Sequence, residues 1–119
     1  MLFRSLSENL GTLYQQCELL HSLASVHFEL TERHQAEDYA KKALKLANEG
    51  GYRILAARAL LLSGLASENA RDRQHWLSDA LQLASEIGLQ ELIAEAAYHI
   101  GILNLERSEE RRVGKECRL

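Results

Sequence analysis

A stretch of this sequence occurs twice, 37 residues apart, and that repetition limits the possible folds more than any other feature. Ala43-Leu44-Lys45-Leu46-Ala47-Asn48-Glu49-Gly50-Gly51 superposes on Ala80-Leu81-Gln82-Leu83-Ala84-Ser85-Glu86-Ile87-Gly88. The same shift carries Ala57 onto Ala94, Ala59 onto Ala96 and Gly64 onto Gly101. Shifted back once more, Leu60 falls on Leu23 and Leu65 on Phe28, so Glu8 to Thr31 reads as an earlier copy of the same helix. A chain that repeats at this interval is built of supersecondary units, each burying its apolar face against the next.

The units are helical. Proline is absent, glycine is sparse, and Leu, Ala, Glu, Gln, Lys and Arg dominate, the residues that lose least side-chain freedom in a helix. Ser5-Leu6-Ser7-Glu8 has capping-box spacing and predicts a first helix from about Ser7 to Thr31. A second helix is expected over Arg33 to Glu49, where Tyr39, Ala40, Ala43, Leu44 and Ala47 share one stripe and Gly50-Gly51 ends it. A third runs from Tyr52 to Asn69. Asp72 reads as the N-cap of a fourth, through Glu86 and closed by Gly88, and a fifth covers Gln90 to Glu106. Alanine-rich stripes let neighbouring helices approach closely, so the expected class is all-α, a solenoid of stacked antiparallel hairpins with five helices.

Ala43-Leu44-Lys45-Leu46-Ala47 and Ala80-Leu81-Gln82-Leu83-Ala84, each followed by Glu and Gly, with Gly64-Leu65 and Gly101-Ile102 in the following helices, resemble tetratricopeptide repeats. More narrowly, they are similar to the longer repeats of large bacterial signalling ATPases, such as activators of the maltose-regulon type, and of some nucleotidyl cyclases. The resemblance covers about residues 8–106. It departs from the standard pattern in its period, in the absent proline and in lacking an aromatic three residues after Gly64 or Gly101. The resemblance implies a concave wall made by first helices, formed here by His21, Ala24 and Phe28, then Arg58, Leu61, Leu65 and Glu68, then Glu95, Tyr98, Ile102 and Leu105. On that wall a peptide would set apolar anchors against Phe28, Leu61, Leu65 and Tyr98, while Arg58 reads a carboxylate.

Chemistry of other kinds finds little footing. Among His21, His27, His34, His75 and His99 no pair has the i, i+4 spacing of a helical zinc site. Cys17 and Cys117 lie too far apart in sequence for a metal motif, and no glycine-flanked nucleophile turn occurs. Gly50-Gly51 follows a helix and is accounted for as a cap, not as a phosphate loop. Glu37-Asp38 with Lys41 and Lys42 one turn later is the pattern of a solvated helix face. Trp76 and Tyr39 occupy equivalent positions of successive second helices and are expected in the core. No enzyme activity and no cofactor are expected.

The last segment breaks the pattern. Arg107 to Cys117 resembles, residue for residue, the forward translation of a common short-read sequencing adapter, so residues 107–119 are set apart as a non-native tail from the repeat segment 1–106. On that reading the native protein is expected to continue past Glu106. The whole chain carries 14 basic and 17 acidic residues for a net charge of −3; without the tail the balance is −5. An acidic, Arg-poor surface disfavours nucleic acid. No apolar run reaches the roughly 20 residues of a membrane span and no secretory signal opens the chain, so a cytoplasmic location is expected. The functional expectation is an interaction or scaffold segment of a larger bacterial regulator, binding a protein, a peptide or other domains of its parent. The alternative is an effector-sensing region that regulates an attached ATPase, cyclase or DNA-binding domain.

Overall fold

A computed structural model describes the backbone of residues 12–117 and the side chains of 13–106. Five helices follow one another, α1 (Thr12–Glu29), α2 (Arg33–Gly50), α3 (Arg53–Ala66), α4 (Ala70–Ile87) and α5 (Gln90–Cys117), and no strand occurs among the described residues. Each helix packs against the next, and short connections return the chain antiparallel. The first helices of successive repeats also touch, α1 against α3 and α3 against α5, whereas the backbones of α2 and α4 do not come close. The result is two layers, with α1, α3 and α5 forming one continuous wall.

Each end of a helix has a local cause. Thr31 closes α1 in the left-handed region at φ 64°, with Glu32 N–H donating to His27 C=O and Thr31 N–H to Phe28 C=O. Gly51 (φ 71°) ends α2 in the same way, its N–H reaching Asn48 and that of Tyr52 reaching Ala47. The expected boundaries shift accordingly: α1 stops at Glu29, and its predicted start near Ser7 lies outside the described residues. α3 stops at Ala66 instead of Asn69, because Ser67 is extended and Asn69 turns outward to cap α4, its Oδ1 accepting from Arg71 N–H at 2.9 Å. Asn69, not Asp72, is therefore the cap. α5 runs on past Glu106 to Cys117, since Asn104-Leu105-Glu106 offers no counterpart of the Ser67-Glu68-Asn69 turn.

The core follows the alanine stripes. Ala36, Ala40, Ala43 and Ala47 of α2 are fully buried, as are Ala80 and Ala84 of α4. Between them α3 is enclosed on almost every side, from Leu55 to Ala66, with only Arg58 exposed and Leu65 half-buried. Cys17 is buried in this packing and its thiol donates to Ala43 C=O at 3.2 Å, so burial raises its pKa and it behaves as a small apolar group. Arg73 of α4 donates from Nε (3.2 Å) and Nη2 (2.9 Å) to Ser67 C=O, tying the end of α3 to the start of α4.

The two repeat glycines part company here. A β-carbon on Gly64 would stand 2.9 Å from Leu77 Cγ and 3.2 Å from Trp76 Cβ, so glycine is needed for α3 and α4 to close. A β-carbon on Gly101 would meet nothing within 4 Å among the described residues, so the equivalent position of α5 has no such close neighbour there. Gly64→Leu is expected to destabilise the fold by about 1–3 kcal/mol through overpacking, read as a fall in Tm by circular dichroism. On the reading of residues 107–119 as a non-native tail, deleting them is expected to shift Tm by no more than about 2 °C.

Candidate interaction groove

The contact of α1, α3 and α5 places side chains one repeat apart in rows across the wall. Residues 37 apart at the first helices read His21, Arg58 and Glu95 in one row and Phe28, Leu65 and Ile102 in another. The structure brings both rows into adjoining cavities. The first, of about 330 Å³, is lined by His21 and Ser25 of α1, Arg58, Leu61, Leu62 and Leu65 of α3, and Glu91, Leu92 and Glu95 of α5. The second, of about 190 Å³, contains Phe28, Leu65 and Ile102 with His99, Leu103 and Glu106 of α5, and is edged by Arg33, Arg73 and Leu77. Leu65 borders both, so they form one groove across the three helices.

The polar row changes its chemistry at every step. Arg58 is exposed and makes no ion pair among the described residues. Glu91 and Glu95 face the same cavity from α5. On the other side His21 is half-buried, and its Nδ1 is enclosed without a hydrogen-bond partner among the described residues. Burial, and secondarily the Arg58 guanidinium, hold the His21 pKa below the usual 6.5. Its imidazole is therefore neutral at pH 7, and the row carries one neutral, one positive and one negative group in order.

Of the residues expected on the concave wall, His21, Arg58, Leu61, Leu65 and Glu95 line the first cavity and Phe28, Leu65 and Ile102 the second. Leu61 is only 6% exposed and forms the floor, so it does not face solvent as expected. Ala24 is fully buried. Glu68 falls outside the row because α3 has already ended at Ala66. Tyr98, 64% exposed, and Leu105 border neither cavity and lie on the outer flank of α5. Ser25, Glu91 and His99 are not among the residues expected on the wall, His99 figuring there only as a candidate metal ligand. The i, i+4 spacing of His21 with Ser25, Glu91 with Glu95 and Glu95 with His99 is the signal that places them on the same face.

Elsewhere His27 stacks on Tyr39 with ring centroids 5.2 Å apart and pairs with Glu32 at 2.9 Å, and His75 sits exposed beside Asp79. No group of three or more His, Cys, Asp or Glu side chains is placed to hold a metal among the described residues. No helix among them is long and apolar enough to cross a membrane. In comparisons with known proteins, no family model matches the chain, and no curated protein or solved structure matches it significantly.

The depressed His21 pKa makes a pH prediction. As pH falls the unfolded chain takes up this proton first, at about 6.5, so stability is untouched above about pH 7 and is lost progressively below it, through the folded-state value. His21→Gln is expected to flatten the acid limb of a Tm-against-pH curve below about pH 7. An unchanged limb would assign that loss to other groups.

Proposed function

We propose that this chain is a tetratricopeptide-like interaction segment that holds an extended peptide of another protein, or of its own parent, in the groove across α1, α3 and α5. The observation that carries the reading is the pair of parallel rows, one polar (His21, Arg58, Glu95) and one apolar (Phe28, Leu65, Ile102). Packed helices stand about 8–10 Å apart, and an extended chain of the polyproline II kind advances about 3.1 Å per residue and returns to the same face every third residue, so a peptide crossing the wall presents a side chain to a new helix about every three residues. An acidic side chain opposite Arg58 would then be followed about three positions on by a basic one opposite Glu95, with apolar side chains turned toward Leu65 and its neighbours. Arg58 suits the first role because an unpaired guanidinium offers a carboxylate two parallel donors.

Selection from a displayed peptide library is the direct test, and the expected consensus is Asp or Glu separated by two residues from Lys or Arg, flanked by apolar positions. Leu65→Ala is expected to weaken a selected peptide by about 1–2 kcal/mol, whereas His75→Ala, on the outer face of α4, leaves it unchanged. Exchanging the charges, Arg58→Glu with Glu95→Arg, should lose that peptide and gain its charge-reversed counterpart. Selected peptides insensitive to these changes would move the site off the groove.

The first cavity also supports a second reading. Its 330 Å³ lies at the lower end of the range for small-molecule sites, and the enclosed His21 Nδ1 offers a polar anchor beside Arg58. A small carboxylate effector would fit there, and such a ligand would bind without the Phe28–Leu65–Ile102 row. Calorimetry with small carboxylic acids on wild type and Phe28→Ala, a residue of the second cavity alone, separates the two: binding that survives the substitution favours the effector, and no binding to wild type favours the peptide.

A further inference from the structure

The outer flank of α5 repeats a surface that elsewhere in the molecule is covered. On α3, Ala57, Leu60, Leu61 and Gly64 are buried; the first three share one cluster with Leu77, Ala80 and Ala84 of α4 and with Leu92 and Ala96 of α5, and Leu77 sits against Gly64. Their counterparts one repeat later are Ala94, Ala97, Tyr98 and Gly101, and all four are exposed. Leu105 extends the same seam, 61% exposed. The spacing 94, 97, 98, 101 and 105 is a continuous helical seam, with small residues where a neighbour must come close and larger apolar ones between them. The glycines make the comparison sharp, since Leu77 sits against Gly64 while nothing among the described residues lies within 4 Å of a β-carbon on Gly101.

We propose that this flank is a docking face for a single amphipathic helix of the α4 kind, one presenting leucine over Gly101 and alanines one and two turns beyond it. The occupant is specified by what α4 lays on the equivalent face of α3: Leu77, then Ala80 and Ala84 at helical spacing. A second folded copy of this chain does not supply it, because Leu77, Ala80 and Ala84 are fully buried inside their own hairpin. Nor does the opposite edge of a second copy. It is formed by α1, where exposed Leu19 is the counterpart of Ala56, a residue that packs in one cluster with Ala43 and Ala47 of α2. Both edges are therefore first-helix edges, and each matches a second helix rather than the other. This face is separate from the groove, so the inference stands or falls apart from the peptide-binding reading.

The probe is a labelled peptide of residues 69–89, which carries the Asn69 cap, the Leu77-Ala80-Ala84 stripe and the Gly88 turn, titrated with the full chain and followed by fluorescence anisotropy. Saturable one-to-one binding is expected. Gly101→Leu should weaken it by about tenfold or more by filling the space the leucine needs, and Leu77→Glu in the peptide should do the same. Leu65→Ala in the groove should leave it unchanged. Gly101→Leu has room in the free chain, so an unaltered melt of that variant assigns its effect to docking. Absence of binding at about millimolar peptide, or binding indifferent to Gly101→Leu, would overturn the proposal. So would a dimer in sedimentation equilibrium that Gly101→Leu dissociates and the peptide does not, because the face would then belong to a second copy.

Discussion

The separation between α3 and α4 is set by the absence of one side chain. With Leu77 Cγ only 2.9 Å from where a Gly64 β-carbon would stand, the helices close on each other to a distance that leaves room for almost nothing larger. Alanine does the same work along α2, where Ala36, Ala40, Ala43 and Ala47 are fully buried. Close approach of this kind gains dispersion over many small contacts instead of a few large ones. It also draws the first helices into contact behind the second, and without that contact α1, α3 and α5 would form no common wall.

The groove is a consequence of that wall. Its apolar row is conservative across the three helices, Phe28, Leu65 and Ile102, because these positions lie half-buried where neighbouring helices shape the cavity. Its polar row, His21, Arg58 and Glu95, is free to differ at each helix, since nothing in the packing requires a particular group there. Repetition therefore supplies the geometry, and departure from repetition supplies the chemistry. Ser63 marks how strongly the packing dominates: its hydroxyl is enclosed in α3 with no partner among the described residues, a burden the surrounding apolar contacts must outweigh.

The helices and their order were legible in the sequence because alanine stripes, caps and the 37-residue shift all point the same way. What escaped it was decided by competition over single residues. Asp72 has the chemistry of an N-cap, but Asn69 occupies the position where the chain actually turns, and α3 loses three residues in consequence. Thr31 takes a left-handed conformation that no β-branched residue announces. On the wall, the sequence put Tyr98 and Glu68 in rows defined by shift alone, whereas exposure depends also on whether the covering helix is present and on where the helix stops. The row His21–Arg58–Glu95 survived because its members lie well inside their helices.

Leu61 and Tyr98 show the limit of repetition most clearly. They occupy one repeat position, yet one is 6% exposed and the other 64%. Nothing in their own helices differs enough to account for this; the difference is that α3 has a second helix on that flank and α5 continues straight through Asn104-Leu105-Glu106 without turning back. A repeat position thus records what a surface is shaped to meet, and its burial records whether it has been met. In a stack where each unit covers the one before it, the last covered face and the first uncovered one have the same design, so the buried seam of α3 is the most direct description of the partner that the seam of α5 accepts.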